Sequence, residues 1–139
     1  MFGLIGNEAN SIQPNKRMLS SMTPTIILKD KKPFMILGSP GGGKIITTVF
    51  ETILNVIDFK YPLDIAIDKP RFHHQWYPEY VQYENGAFDS TIIAELSSKG
   101  HSFMQVHDYG NVCAILIKWD KHEYYGHEDR RGYGEAVGY

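Results

Sequence analysis

The apolar positions near the middle of the chain predict a β-hairpin followed by an amphipathic helix. Two apolar runs, at residues 25–28 and 34–37, flank a polar segment at 29–33, which is the pattern of two antiparallel strands and their turn. Between residues 44 and 58, apolar side chains then recur at the spacing of one helical face. They are Ile45, Ile46, Val49, Phe50, Ile53, Leu54 and Ile57. The pattern therefore predicts a strand that ends shortly before a helix begins.

Weaker patterns predict the elements of the second half. One short helix is predicted at residues 63–68 and another at 91–99. The latter has Asp89 or Ser90 as a candidate N-cap and Gly100 where a left-handed C-cap is expected. The further predicted strands are 80–84, 102–106 and 112–119, and the segments without periodicity are 1–17, 71–80 and the tail from 121. We therefore expect a single α+β domain, residues 1–139, that begins with an extended arm at 1–17.

Composition and charge exclude several function classes. The 139 residues are 42% hydrophobic and 22% charged, which is ordinary for one globular domain. The formal net charge of −2 gives no reason to expect binding to nucleic acid or to an anionic membrane. No apolar run reaches the length that spans a bilayer. Cys113 is the single cysteine and lies in an apolar run at 112–117, so it is expected to be buried in a strand.

The candidate chemistry lies at residues 38–43, which we call the glycine loop. Its sequence, Gly-Ser-Pro-Gly-Gly-Gly, separates the second predicted strand from the helix, so several backbone N–H groups converge where a helix begins. Such a position attracts negative charge. Earlier in the chain, Ser20 and Ser21 supply adjacent hydroxyls that can donate to an anionic group. Paired hydroxyls also cap turns and glycines also serve tight turns, so both features have a purely structural interpretation as well.

Two other kinds of site fit the sequence less well. The glycine loop and Lys44 satisfy the phosphate-loop spacing GxxxxGK, but Ile45 stands where that motif needs Ser or Thr, and Pro40 removes one backbone donor. A phosphate-loop nucleotide-binding domain is therefore a remote alternative. The six histidines include the neighbours His73 and His74 but show no recognised metal-ligand spacing, so no metal site is predicted.

Several short motifs follow one another in order along the chain. They are Ala9-Asn10, 14–17 (PNKR), 19–25 (LSSMTPT), 38–42 (GSPGG), 45–49 (IITTV), 70–76 (PRFHHQW) and 125–131 (YGHEDRR). In this order they resemble the gamma-glutamyltransferases, also called glutathione hydrolases. The resemblance covers essentially the whole chain and corresponds to the C-terminal part of the small, catalytic subunit of that family. Arg17, Arg71 and Arg130 lie in these motifs, and pairing with carboxylates inside the fold would explain them equally well.

The resemblance implies a fold and a set of site residues. The family has the four-layer αββα sandwich of the N-terminal-nucleophile hydrolases, of which this chain would supply part, so we expect a sheet with an exposed apolar face. By resemblance, the backbone N–H groups of Gly41 and Gly42 form an oxyanion hole. Ser20 and Ser21 would bind the α-carboxylate of the gamma-glutamyl substrate, together with an arginine of the large subunit.

The resemblance also implies an activity and partners. Members of the family cleave the gamma-glutamyl amide bond of glutathione and its conjugates and transfer the gamma-glutamyl group to water, amino acids or peptides. Their nucleophile is the N-terminal Thr of the small subunit, which is expected to lie outside this chain. The implied partners are the large subunit and the N-terminal part of the small subunit; no cofactor is implied, and a periplasmic or extracellular location is expected. The alternative is a catalytically inert fragment or assembly module of the same fold.

Overall fold

The computed structural model describes residues 3–20 and 22–138, so Ser21 lies outside the described residues. Over these residues the chain forms strands and helices of an α+β fold. The strands are β1 (Thr25–Lys29), β2 (Lys32–Gly38), β3 (Phe72–His73), β4 (Val81–Tyr83), β5 (Phe103–Gln105), β6 (Cys113–Lys118) and β7 (Glu123–His127). The helices are α1 (Ile45–Ile57), α2 (Leu63–Asp68) and α3 (Ser90–Ser98), and short 3-10 turns lie at Glu8–Asn10 and Gly42–Lys44. Residues 3–20 are exposed throughout.

The first sheet is antiparallel and has the order β1-β2-β6-β7. The predicted hairpin is confirmed, although its turn is tighter than the polar segment suggested, because Lys29 pairs directly with Lys32. Asp30 and Lys31 between them both have positive φ, at 53° and 63°, which is the turn geometry that follows the twist of a hairpin. The second strand, which is central in this sheet, ends at Gly38, so the glycine loop begins at the end of a central strand.

The second sheet is smaller and has the order β3-β4-β5, with β4 and β5 parallel. An aromatic cluster around Phe88 covers it, with ring centroids 5.1 Å from Phe72, 5.8 Å from Tyr83 and 5.7 Å from Phe103. Helix α3 begins as predicted, since the Asp89 carboxylate accepts a hydrogen bond from the Ile92 N–H at 2.8 Å. Strand β3 of this sheet contacts α1, and β4 leads into the buried Glu84 discussed below.

The core lies between the first sheet and helices α1 and α2. Its buried members include Met35, Leu37, Ile45, Val49, Val56, Leu63, Ala66, Ile67, Val112, Ala114 and Leu116. The opposite face of the sheet is open and apolar. Ile26, Ile36 and Ile115 form one row across β1, β2 and β6, and they are 63%, 38% and 44% exposed. The expectation of a sheet with an exposed apolar face is therefore confirmed.

The structure corrects two sequence predictions and refines a third. Cys113 is exposed, not buried, because strand alternation turns Ala114 and Leu116 toward the core and Cys113 toward the open face. The tail from residue 121 contains strand β7, which pairs with β6 as an edge strand. It shows no apolar alternation because four of its five residues are exposed. The segment at 71–80, predicted to be irregular, contains the two-residue strand β3.

Candidate functional site

The glycine loop connects β2 to α1 through conformations that favour glycine. Gly41 has φ +145° and Gly42 has φ +59°, and L side chains rarely adopt either value. The chain then turns once as a 3-10 helix, in which the Lys44 N–H donates to the Gly41 carbonyl at 3.1 Å, before α1 begins at Ile45. Backbone N–H groups at the start of a helix carry a partial positive charge. The start of α1 therefore places a partial positive charge beside the glycine loop.

The Gly41 backbone lies at a junction of two cavities. One, of about 300 Å³, is lined by Gly41, Gly43 and Lys44 together with Gln75 and Gln82 among others. The other, of about 470 Å³, is lined by Met22, Thr23, Pro24, Gly38, Ser39, Pro40, Gly41 and Ile45. Within the described residues, the Gly41 N–H makes no hydrogen bond. It is therefore available to a ligand oxygen.

Ser20 lies close along the chain to the wall of the second cavity. Its hydroxyl oxygen accepts a hydrogen bond from the Met22 N–H at 3.2 Å, which is the turn-capping role that paired hydroxyls commonly have. Ser20 is exposed, and the hydroxyl hydrogen is not used in that bond. Met22 and Thr23 line the same cavity as the glycine loop. The structure thus brings the segment of Ser20 to the loop, while Ser21 lies outside the described residues.

A second loop, residues 109–112, packs against the glycine loop. The Asn111 N–H donates to Ser39 Oγ at 3.0 Å, and Ser39 Oγ donates to the Pro40 carbonyl at 2.8 Å. Gly110 has φ +76°, and a Cβ atom at this position would lie 3.1 Å from both Ser39 Oγ and Arg71 Nη1. The close approach of the two loops therefore depends on the absence of a side chain at Gly110.

A buried ion network of Arg71, Glu84, Asp129 and Arg131 supports the second loop. Arg71 Nη2 lies 2.6 Å from Asp129 Oδ2, and Arg131 bridges Glu84 at 2.6 Å and Asp129 at 3.0 Å. The side chains are between 0% and 3% exposed. Charges taken out of water are stable only when they are paired and fully hydrogen-bonded. Here each charge has an opposite charge and backbone partners.

The buried ion network holds the second loop at both ends. The Tyr109 N–H donates to Glu84 Oε1 at 3.0 Å, Arg71 Nη1 donates to the Tyr109 carbonyl at 2.7 Å, and the Val112 N–H donates to Asp129 Oδ2 at 2.7 Å. Burial alone would raise the pKa of Glu84, but hydrogen bonds from Arg131 and from backbone N–H groups bring it below its ordinary value. The pKa of Asp129 is lowered in the same way against the effect of burial. Both carboxylates are therefore ionised at neutral pH.

Sequence reasoning missed most of this network. Arg71 and Arg130 were both expected to pair with carboxylates and both do, Arg71 with the buried Asp129 at 2.6 Å and Arg130 with the half-exposed Asp108 at 2.8 Å. Arg17, of which the same was expected, is exposed and forms no ion pair with a described residue. The arginine that joins Arg71 in the buried ion network is Arg131, which pairs with Glu84 and Asp129. Glu84 and Asp129 gave no local signal, because the contacts that define them cross 47 and 58 positions of the chain. The only available sign was the charge-rich motif at 129–131.

Lys44 does not point into a phosphate cradle. Its ammonium nitrogen lies 4.2 Å from the centroid of the Tyr109 ring, which is a cation–π contact. Burial lowers the pKa of Lys44, while the nearby Glu84 carboxylate opposes that shift. The lysine of a phosphate loop reaches the phosphates instead. This placement argues against the nucleotide-binding alternative.

His73 anchors the first turn of α1 to the motif at 70–76. Thr47 Oγ1 lies 2.8 Å from His73 Nδ1, and His73 Nε2 lies 2.9 Å from Gln75 Oε1. Burial lowers the pKa of His73, which keeps its imidazole neutral. Its neighbour His74 is exposed. Over residues 3–20 and 22–138, no group of three or more His, Cys, Asp or Glu side chains could hold a metal ion, and no helix there is long and apolar enough to cross a membrane.

Glu51 is a half-buried glutamate whose carboxyl group lacks a full set of partners among the described residues. One oxygen accepts the Phe72 N–H at 3.2 Å, and the other, Oε2, is buried with no hydrogen bond to any described residue. Thr48 Oγ1 and the Tyr109 hydroxyl are also buried without a partner in the described part of the chain. Burial raises the pKa of Glu51 to about 7, against the lowering effect of its backbone hydrogen bond. The same cause raises the pKa of the Tyr109 hydroxyl.

The raised pKa of Glu51 predicts a pH-dependent stability. Because the folded chain binds this proton more tightly than the unfolded chain, wild-type stability falls as the pH rises from 4.5, the ordinary pKa of a glutamate, to about 7. Glu51→Gln keeps an acceptor for Phe72 and never ionises. We expect it to raise the unfolding free energy by about 1–3 kcal/mol more at pH 8 than at pH 5. Denaturant titrations at both pH values measure this, with the exposed Glu79→Gln as the control; equal effects at both pH values would contradict the prediction.

Comparison with known proteins identifies the family. A sequence profile described as Gamma-glutamyltranspeptidase matches residues 1–139. The chain belongs to the gamma-glutamyltranspeptidase family. Its relatives include the glutathione hydrolase proenzymes of Pseudomonas sp. (strain A14), 43% identical over 100% of this chain, and of Escherichia coli (strain K12), 42% identical over 94% of it. The chain spans only 26% and 22% of the lengths of these two relatives.

Solved structures of the gamma-glutamyltranspeptidase family confirm the fold. A point mutant of the Helicobacter pylori gamma-glutamyltranspeptidase superposes with a TM-score of 0.90 at 41% identity, covering 95% of this chain and 72% of that one. The Pseudomonas nitroreducens gamma-glutamyltranspeptidase complexed with L-DON gives a TM-score of 0.90 at 35% identity, covering 99% of this chain and 72% of that one. The predicted α+β class, as part of the N-terminal-nucleophile hydrolase fold, is therefore confirmed.

Proposed function

We propose that this chain is part of an enzyme that cleaves gamma-glutamyl amide bonds and transfers the gamma-glutamyl group to water, amino acids or peptides. Glutathione and its conjugates are the proposed donors. The observation that carries the proposal is Gly41, which lines a cavity at the start of α1 and whose N–H makes no hydrogen bond to any described residue. The names of the relatives, glutathione hydrolase proenzymes, agree with it.

The proposed chemistry is acyl transfer through a covalent intermediate. A Thr hydroxyl from the remainder of the enzyme attacks the gamma-carbonyl carbon, and its own α-amine accepts the proton. The carbonyl oxygen then gains negative charge. The N–H groups of Gly41 and Gly42 would stabilise that oxygen, at about 3–4 kcal/mol per donor in preorganised sites. As the tetrahedral intermediate collapses, the carbon–nitrogen bond breaks and the proton held by the α-ammonium passes to the departing amine, which leaves the gamma-glutamyl group esterified to the Thr oxygen. Water or an acceptor amine then attacks this ester, gives up a proton to the α-amine and releases the gamma-glutamyl group while the Thr hydroxyl is restored.

The proposed role of Ser20 and Ser21 is to position the donor. Hydroxyls bind a carboxylate by donating hydrogen bonds and bring no charge of their own. Ser20 is exposed, keeps its hydrogen available and precedes residues that line the cavity of the glycine loop. The exposure and position of Ser20 support a role for its hydroxyl in binding the α-carboxylate of the donor, which lies at the end of the substrate opposite to the scissile bond.

The proposed partner is the remainder of the enzyme. The row of Ile26, Ile36 and Ile115 on the open face of the first sheet supports this proposal, because adjacent exposed apolar side chains commonly mark a surface that another protein segment covers.

One structural relative is described as revealing critical roles for its C-terminus in autoprocessing and catalysis. In this chain the C-terminal segment supplies Asp129 and Arg131 to the buried ion network.

The test uses the complete protein, with the segment that carries the nucleophile, and a chromogenic gamma-glutamyl anilide. Wild type is expected to release the aniline. The double variant Ser20→Ala, Ser21→Ala should raise KM by roughly 10- to 100-fold, because two charge-assisted hydrogen bonds are lost, and should change kcat by less than about threefold. The matched control is the exposed pair Ser97→Ala, Ser98→Ala on α3, which should leave both constants unchanged.

Two results would count against the proposed function. Absence of turnover by a folded, complete wild-type protein would favour the inert-module alternative. Unchanged kinetics in the Ser20, Ser21 double variant would remove these hydroxyls from the substrate site while leaving the reaction class in place.

A further inference from the structure

The direction of the Gly41 N–H is set by the peptide bond between Pro40 and Gly41. A peptide unit is planar and trans, so its carbonyl oxygen and its N–H point in opposite directions. Fixing the Pro40 carbonyl therefore fixes the Gly41 N–H. Glycine tolerates either orientation of such a peptide, and Gly41 with φ +145° has no side chain to prevent a flip. A side-chain contact is therefore needed to select one orientation of the Pro40–Gly41 peptide.

Ser39 makes the contact that selects it. Its hydroxyl donates to the Pro40 carbonyl at 2.8 Å and accepts from the Asn111 N–H at 3.0 Å. The hydroxyl thus joins the peptide of interest to the second loop, residues 109–112. That loop is itself held by Glu84 and Asp129 of the buried ion network. The Pro40 carbonyl is therefore tied, through the Ser39 hydroxyl, to a loop that the buried ion network holds in place.

We propose that Ser39 is a positioning residue that locks the Pro40–Gly41 peptide with the Gly41 N–H directed at the oxyanion. The inference rests on the proposed function, since the oxyanion forms in that reaction. It assigns a role to a side chain that the sequence did not single out. Ser39 itself touches neither the substrate nor the nucleophile in this role. Its hydroxyl acts only through the peptide that it holds.

In this proposal, the Ser39 hydroxyl makes both contacts that hold the Pro40–Gly41 peptide. Ser39→Ala leaves the Pro40 carbonyl and the Asn111 N–H without their shared partner and frees the peptide to flip. Ser39→Thr retains the hydroxyl. Ser98 is a matched control, because its hydroxyl also donates to a nearby carbonyl, that of Glu95 at 2.7 Å, but on α3.

The experiment measures turnover of a gamma-glutamyl anilide by the complete protein and its variants, per titrated active site. Ser39→Ala is expected to lower kcat by about 10- to 100-fold while KM for the donor changes by less than about threefold, because only the fraction of molecules with the correct peptide orientation reacts. Ser39→Thr is expected to restore kcat to within about threefold of wild type, and Ser98→Ala to match wild type. A merely structural role would reduce the number of active sites and the melting temperature without this split.

Glycine-labelled NMR of the complete protein gives a second measurement that does not depend on turnover. The Gly41 amide should show microsecond-to-millisecond exchange in Ser39→Ala but not in wild type. The inference is overturned if kcat of Ser39→Ala stays within about threefold of wild type, if Ser39→Thr is as impaired as Ser39→Ala, or if the Gly41 amide shows the same exchange with and without the hydroxyl. Turnover by the wild-type protein in the same assay separates such a failure from a failure of the proposed function.

Discussion

Replacing Arg131 with Ala is expected to lower the free energy of unfolding by about 3–5 kcal/mol, because it strips a buried carboxylate pair of its shared counter-ion. Arg131 bridges Glu84 and Asp129, and all three side chains are at most 1% exposed. With the guanidinium gone, Glu84 has no other ion-pair partner in the described part of the chain. Equilibrium unfolding in denaturant, followed by circular dichroism, measures the loss.

The neighbouring residue supplies the control for this prediction. Arg130 is also an arginine in an ion pair, with Asp108 at 2.8 Å, but both side chains are 45% exposed. Exposed pairs contribute little, so Arg130→Ala should cost less than about 1 kcal/mol. Similar losses in the two variants would show that the network does not owe its strength to burial, and would contradict this account of how the second loop is held.

Replacing Gly41 with Ala in the complete protein is expected to lower kcat by roughly 100-fold, because the new side chain disfavours the φ of +145° that directs the N–H. The nearest atoms to the added Cβ lie 3.8 Å away, so the change acts through the backbone and not through a collision. The loss should fall on kcat, since the oxyanion exists only after attack. Steady-state kinetics on a gamma-glutamyl anilide measure it.

Gly100→Ala separates the loss of catalysis from the cost of backbone strain. Gly100 has φ +97° after α3, and its added Cβ would meet nothing within 4 Å. Both substitutions should therefore destabilise the fold by a similar amount, about 1 kcal/mol. Only Gly41→Ala should affect turnover. A Gly41→Ala enzyme with normal kcat would remove this amide from the reaction.

The elements that the sequence predicted well are those defined by neighbours along the chain. The β1–β2 hairpin follows from two apolar runs around a turn, and helix α1 from apolar positions that repeat every three or four residues. The N-cap of α3 follows from Asp89, whose carboxylate binds an N–H three residues on. In each case the stabilising contact joins residues that are close together in the sequence, so the local pattern contains it.

The features that the sequence predicted poorly depend on contacts between residues that are far apart in the sequence. Cys113 was assigned to the core from an apolar run, but only pairing with β2 decides which face of β6 is covered. Strand β7 exists because β6 offers an edge, and its exposed residues carry no periodic signal. Glu84 and Arg131 meet across 47 positions. No local pattern encodes such a pair.

The candidate site shows the same division. The glycine loop was found because a strand, a run of glycines and a helix follow one another in sequence. Ser39 was not, although it lies inside the loop, because its significance comes from Asn111 in a distant segment. The roles of Gly41, Gly42, Ser20 and Ser21 came from resemblance to the family and stay predictions.

The most direct test of the central claim is a crystal structure of the complete protein with a gamma-glutamyl boronic acid bound to its nucleophile, because the boronate mimics the tetrahedral intermediate. The measured quantities are the distances from the backbone nitrogens of Gly41 and Gly42 to the boronate oxygen. Our account predicts both at about 2.7–3.1 Å. An oxygen held by other donors, with the Gly41 N–H facing away from it, would contradict the account.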